Sequence, residues 1–169
     1  MTALSRLARE SARKSSIKSK LDIDSFKKNR SGTPKPLNGI YWSVTHKLDF
    51  VAGVVSKKKI GIDIEFKKSV EDISDTLYKR IINSDEHLLF KDDDKAASFF
   101  RAFTAKEAVL KNSGDGIKGV SKTKIKTVID EKNLIVEYLN RKYLVESFYF
   151  DRYLAAVTKN GFRIQWILE

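Results

Sequence analysis

The sequence predicts an α+β fold, helices packed on antiparallel sheet, and three stretches carry that prediction. Residues 60–65, IGIDIE, alternate isoleucine with glycine or acid at a period of two, as a strand with one buried face does. Residues 99–117, FFRAFTAKEAVLKNSGDGI, are rich in strong helix formers and close on Asn112, Ser113 and Gly114, which stop a helix. Residues 134–139, 143–150, 153–158 and 162–168 read as strands, and Asn160-Gly161 between the last two is a type I′ hairpin signal. The C-terminal part is therefore expected to be antiparallel sheet with a helix over 95–113 packed on it. At 169 residues the chain can form one ordinary domain, or two small lobes sharing a core.

Taken in order, residues 3–14 and 22–28 read as short helices, anchored by Leu4, Leu7, Leu21, Ile23 and Phe26, with Asp22 or Asp24 capping the second. Residues 29–38 are a loop by their Gly, Pro, Ser and Asn content. Residues 39–45 and 50–56 read as strands joined by the polar loop HKLD. Residues 70–82 read as a helix with Ile73, Leu77 and Ile81 on one face, and Ser84 as the N-cap of a further turn holding Asp85 and Glu86. Asp92, Asp93 and Asp94 lack the spacing of a calcium loop and read as a solvated approach to the 95–113 helix. Lys122, Lys124 and Lys126 share one face if residues 118–126 are extended, either as a solvated strand face or as a contact for an acidic partner.

Composition narrows the function classes. The formal charge of +11 favours polyanionic partners: nucleic acid, anionic lipid or an acidic protein. No recognisable nucleic-acid module or dense basic block accompanies it, and lysines spread along a chain also arise from codon bias. The absence of cysteine excludes disulfides, thiol chemistry and a thiolate zinc site. No apolar run is long enough to cross a bilayer, so no membrane partner is expected. The basic N-terminus lacks the apolar core of a secretory signal and only weakly resembles a transit peptide. A cytoplasmic enzyme is the expected class.

Asp63 and Glu65 project from the same face of the 60–65 strand, with alpha carbons roughly 7 Å apart. Carboxylates that close repel unless a positive charge lies between them, and magnesium prefers a few carboxylates plus waters and phosphate oxygens. On the 95–113 helix, Phe99, Phe103 and Leu110 fall on one side, and Phe100, Glu107 and Lys111 on another. Glu107 can supply a third carboxylate and Lys111 a phosphate contact. The residues alone also allow a plainer reading, in which an acidic strand face and a helical Glu–Lys pair are both solvated.

GIDIE at 61–65, followed by FFRAFTAKEAVLKNSGDGI, resembles the paired signature of the 4′-phosphopantetheinyl transferases. That signature is G-x-D-x-E on a strand, then F-[YF]-x-x-W-T-x-K-E-A-x-x-K-x-x-G-x-G-[LI] on a helix and turn. The chain keeps Phe99, Phe100, Thr104, Lys106, Glu107, Ala108, Lys111, Gly114, Gly116 and Ile117, and has Phe103 where the family usually has Trp. The resemblance implies two similar α/β lobes related by a pseudo-twofold axis, each an antiparallel sheet packed by a helix, with coenzyme A in the cleft between them. The N-terminal lobe is then residues 1–57, shorter than in surfactin-type members, and the C-terminal lobe residues 58–169. Small holo-acyl-carrier-protein synthases start near the GIDI motif and assemble as trimers; this chain carries its own first-lobe motif and is expected to act as a monomer.

The resemblance also implies roles. Asp63, Glu65 and Glu107 would hold magnesium, and Lys111, helped by Lys106, would hold phosphate oxygens of coenzyme A. Ser43 and His46, in SVTHK where the family has Ser-x-Ser-His-Ser, would meet the 3′-phosphate, with Thr45 keeping a hydroxyl and Lys47 adding charge. Lys35, in a Lys-Pro dipeptide, would sit near the nucleotide end. Asp63, Glu107 and Lys111 form the catalytic set, with Glu107 as base and Glu86 as a second candidate. The implied reaction is magnesium-dependent transfer of phosphopantetheine from coenzyme A to a serine of an acidic acyl or peptidyl carrier protein, as in fatty acid biosynthesis, releasing 3′,5′-adenosine diphosphate. The competing expectation is a basic nucleic-acid-binding module with no enzymatic activity.

Overall fold

The computed structural model describes residues 2–90 and 94–169. Helix α1 (Ala3–Ser19) is capped by Thr2, whose side chain accepts from the Ser5 N–H. It runs five residues beyond the expected end at 14 and stops at Lys20, which is left-handed at φ 54°. The Lys20 and Leu21 N–H groups donate back to Ile17 and Ser16 carbonyls, turning the chain away. Residues 22–28 are consequently not a helix, contrary to expectation, and neither Asp22 nor Asp24 caps one. Seven residues are too few to hold a helix unaided. They still lay Ile23 and Phe26 into a cluster with Ala12, Ile40, Trp42 and Val55.

Strands β1 (Tyr41–Lys47) and β2 (Phe50–Ser56) form the expected hairpin, tightened to a two-residue turn at Leu48 and Asp49. Helix α1 lies across it so closely that a Cβ on Gly53 would stand 2.3 Å from the Ala12 backbone nitrogen.

The second sheet has five antiparallel strands in the order β3-β7-β6-β5-β4. These are β3 (Ile62–Phe66), β4 (Thr123–Val128), β5 (Asn133–Tyr138), β6 (Arg141–Phe150) and β7 (Tyr153–Thr158). Two further helices precede the helix that packs on this sheet. The expected 70–82 helix is split into a 3-10 turn (Val70–Asp72) and α2 (Asp75–Ile81), because Ile73 turns into the core and Ser74 caps α2. Helix α3 (Ser84–Leu89) is capped by Asn83 rather than Ser84, in a reciprocal box with Glu86. Helix α4 (Lys95–Ser113) has the expected bounds, starts on the side chain of Asp94 and ends at left-handed Gly114. Asp92 and Asp93 lie outside the described residues. Thr104, Ala105, Ala108, Val109 and Leu110 are wholly buried where α4 packs into the main core.

Residues 162–168 form no strand, and the expected last hairpin is absent. Strand β7 is paired along both edges, by β3 and β6, so no free edge remains beside it. The segment packs by its side chains instead. Trp166 stacks on Phe148 at 5.1 Å and donates its indole N–H to Glu146 at 2.9 Å. The architecture is thus the expected α+β one, two antiparallel sheets each packed by a helix. Ile60, Ile62 and Val157 join the layers through Ala52 and Val54 of the hairpin. Among the described residues no helix is long and apolar enough to cross a membrane.

Candidate active site

The acidic face of β3 meets α4 because nothing stands between their backbones. A Cβ on Gly61 would lie 1.9 Å from the Ala108 carbonyl oxygen, so this approach requires glycine. Asn112 fastens the junction: its amide donates to the Lys59 carbonyl and to Thr158 Oγ1, each at 2.9 Å. The Gly61 N–H donates to the same hydroxyl oxygen at 2.9 Å. These bonds fix the rotation of α4 and bring Lys111 over Asp63.

Asp63 is almost fully buried. Its Oδ1 accepts from Lys111 Nζ at 2.7 Å and from Thr45 Oγ1 at 3.1 Å, while Oδ2 is buried with no hydrogen-bond partner. Glu65 pairs with Lys47, Nζ to Oε2 2.6 Å. Burial nevertheless holds its pKa above the usual carboxylate range; Lys47 opposes that shift and the Asp63 charge adds to it. Glu107 Oε1 is likewise buried without a partner. Burial first, and then the charge of Asp63, push the Glu107 carboxyl up to about 7; Lys111 acts against the rise.

These side chains line one pocket of about 340 Å³ between α1, β1, β3 and α4. His46, exposed at its rim, and Lys47 enter it from β1. Arg9 of α1 and Lys28 of the following loop also line it. Neither was expected from the sequence. Ser5, Ala8, Arg9 and Ala12 follow helical i, i+3, i+4, i+7 spacing, which could have placed Arg9 on the packed side of α1. No local signal marks Lys28, whose position depends on a β-bridge to Pro34.

Three expected coenzyme A contacts and one candidate base are not among the residues lining this pocket. Lys106 points to the far side of α4, where its buried ammonium pairs with Glu86 at 2.6 Å and donates to the Ile81 carbonyl at 2.5 Å. Its place one residue before Glu107 turns it about 100° around the helix. Glu86, the alternative base, accepts from Asn83 N–H at 2.9 Å and from Ile125 N–H at 2.6 Å, so it is fully engaged in joining α3, α4 and β4. Ser43 is buried, its hydroxyl oxygen accepting from the Ile62 N–H at 3.1 Å across the two sheets. Lys35 has an exposed side chain, and its carbonyl holds the Trp42 indole at 2.9 Å. In the lysine-rich stretch, Lys124 and Lys126 are exposed on β4 beside buried Thr123 and Ile125, while Lys122 belongs to a 3-10 helix (Ile117–Lys122).

Asp63, Glu65 and Glu107 therefore share a pocket, but not as a finished metal cage. Among the described residues no group of three histidine, cysteine or carboxylate side chains is gathered so as to hold a metal ion. The reason is visible in the ion pairs: Lys111 and Lys47 are drawn onto Asp63 and Glu65. The donor set still suits a hard divalent cation. Two buried carboxylate oxygens, Asp63 Oδ2 and Glu107 Oε1, lack any hydrogen-bond partner, and burial, with repulsion from Asp63 added, raises the Glu107 pKa, a strain that a cation would relieve.

Residues 59–158 match the model of the 4′-phosphopantetheinyl transferase superfamily. A 4′-phosphopantetheinyl transferase of Nostoc sp., HetI, is 32% identical over 110 residues, covering 63% of this chain and 46% of that protein. The 4′-phosphopantetheinyl transferase gsp of Aneurinibacillus migulanus is 26% identical over 117 residues, covering 64% and 48%. The chain thus spans about half the length of these curated relatives. The solved holo-[acyl-carrier-protein] synthase of Helicobacter pylori, in complex with coenzyme A, is 24% identical with a TM-score of 0.48, over 59% of this chain and 96% of that one. The family model covers more than half of the sequence, including both motif stretches up to Thr158, and so the chain belongs to the 4′-phosphopantetheinyl transferase superfamily.

Proposed function

We propose that the protein transfers 4′-phosphopantetheine from coenzyme A to a serine of an apo acyl or peptidyl carrier protein. The observation that carries this reading is the pocket in which Asp63, Glu65 and Glu107 stand with Lys111, with two carboxylate oxygens buried and unpartnered. The names of the relatives point to the same activity.

Residues 1–57 and 58–169 serve as the two lobes bounding the substrate cleft. Asp63, Glu65 and Glu107 are the residues that would hold magnesium. A magnesium ion bound there supplies neutralising charge to the pyrophosphate of coenzyme A. Lys111 acts as a point charge on phosphate oxygens, and Lys47 can turn from Glu65 to do the same. The carrier serine Oγ forms a bond to the β-phosphorus while the bond to the bridging oxygen breaks. The serine proton passes to the Glu107 carboxylate, and 3′,5′-adenosine diphosphate leaves. Such chemistry needs positioning and charge stabilisation more than a covalent intermediate.

The test is intact-protein mass spectrometry of apo acyl and peptidyl carriers incubated with the protein, coenzyme A and magnesium. A gain of one phosphopantetheine is expected, lost when the carrier serine becomes alanine or EDTA is added. No gain on any carrier, with enhanced binding to DNA or RNA at low salt, would favour the basic nucleic-acid module instead.

A further inference from the structure

Two hydroxyls of β1 reach across to β3, which belongs to the other sheet. Ser43 and Thr45, two residues apart, share one face of β1, and both are buried. Ser43 meets backbone, its oxygen accepting from the Ile62 N–H at 3.1 Å. Thr45 meets a carboxylate: its hydroxyl donates to Asp63 Oδ1 at 3.1 Å. A threonine hydroxyl has a single proton to donate, and here Asp63 receives it. A fully ionised phosphate has no proton to offer in return, so Thr45 cannot hold Asp63 and donate to a phosphate of coenzyme A at once. A phosphate contact by this hydroxyl would compete with the bond that the structure shows.

Asp63 Oδ1 has a second donor, Lys111 Nζ at 2.7 Å. The two donors differ in how firmly they are placed. Thr45 is β-branched and stiff about χ1, and its backbone is paired to Ala52 in the hairpin. The Lys111 side chain is long and 30% exposed, and in the proposed reaction it serves phosphate oxygens. When Lys111 turns to a phosphate, the Thr45 hydroxyl still holds Oδ1. The other oxygen, Oδ2, is buried without a hydrogen-bond partner. A bond to one carboxylate oxygen fixes the rotation of the group, and with it the place of the other oxygen.

We infer that Thr45 is a positioning residue of the acidic site: by holding Oδ1 of Asp63 it orients the carboxylate and leaves Oδ2 to a divalent cation. The inference rests on the transferase reading above. It assigns the Thr45 hydroxyl to Asp63 rather than to the donor phosphate. It also makes the N-terminal hairpin part of the acidic site, because the orientation of Asp63 then depends on how β1 is seated against β3. Groups that orient a metal-binding side chain typically contribute about ten-fold or more to metal affinity.

Calorimetric titration of the full chain tests this in two arms: with magnesium in the presence of coenzyme A, and with coenzyme A in EDTA. Thr45→Val, which keeps the shape and removes the hydroxyl, should weaken magnesium about ten-fold, and Thr45→Ser should stay within about two-fold of the wild type. Thr45→Ala should match Thr45→Val; a loss in Thr45→Ala alone would assign the effect to packing and overturn the inference. In EDTA, Thr45→Val should bind coenzyme A within about two-fold of the wild type, whereas a direct phosphate contact would cost about ten-fold there and overturn it. Magnesium binding by Thr45→Val as tight as in the wild type would likewise overturn the positioning role and leave the transferase reading intact. A wild type that binds coenzyme A but no magnesium would overturn the positioning role together with the metal assignment. One that binds neither would overturn the transferase reading as well.

Discussion

Replacing Glu107 with glutamine should raise the thermal stability of the metal-free protein at pH 8 and change it little at pH 4.5. The folded protein holds this carboxyl at a pKa of about 7, against 4.5 for the ordinary group. Folding therefore takes up a proton between these values, and stability falls as pH rises through the window. Above pH 7 the full penalty applies; below 4.5 both states are protonated and it vanishes. At about 1.36 kcal/mol per pH unit the gap corresponds to roughly 3 kcal/mol for a group fully withdrawn from water. Glu107 is only half-buried, and solvent screening reduces this to about 1–2 kcal/mol. For a chain of this size that is a rise of about 3–6 °C in Tm at pH 8. Differential scanning calorimetry in EDTA at the two pH values measures it. An equal shift at both pH values, or a lower Tm for Glu107→Gln at pH 8, would refute the assignment of Glu107 as a carboxyl strained by burial and by the Asp63 charge.

Other substitutions probe the frame around the site. Lys106→Met should cost about 3–5 kcal/mol in urea denaturation, because it strands the Glu86 carboxylate in the core, whereas Lys106→Met with Glu86→Leu should recover most of that loss. If Lys106→Met alone proves neutral, the pair does not tie α4 to α3 and β4. Gly61→Ala should destabilise by about 1–3 kcal/mol and suppress transfer, since its Cβ would meet the Ala108 carbonyl and push β3 off α4. A fully active, equally stable Gly61→Ala would show that this approach is dispensable. Magnesium at about a hundred times its Kd should stabilise the wild type by about 2.7 kcal/mol, and Asp63→Asn should abolish that gain; an unchanged gain would place the ion elsewhere.

Much of this organisation was legible because it is local. The alternation in GIDIE places Asp63 and Glu65 on one face of β3, and the helix formers from Lys95 to Ser113, stopped by Gly114, set the bounds of α4. Glu107 and Lys111, one turn apart, reach the pocket together as their spacing requires. What the sequence hid is decided by tertiary pairing. Residues 162–168 have strand composition but no free edge to join, and residues 22–28 have helical anchors but follow a chain reversal at Lys20. Lys106 and Ser43 carry motif-compatible chemistry, yet a buried carboxylate and a strand N–H claim them. Lys28 enters the site only because the 28–34 loop closes on itself.

The central claim is that the pocket of Asp63, Glu65, Glu107 and Lys111 is where phosphopantetheine is transferred. Intact-mass assay of carrier loading by Asp63→Asn and Glu107→Gln, each shown by calorimetry to be folded, tests it most directly. The account predicts that both variants leave the carrier unmodified under conditions in which the wild type loads it completely. Loading by either variant at close to the wild-type rate would contradict it.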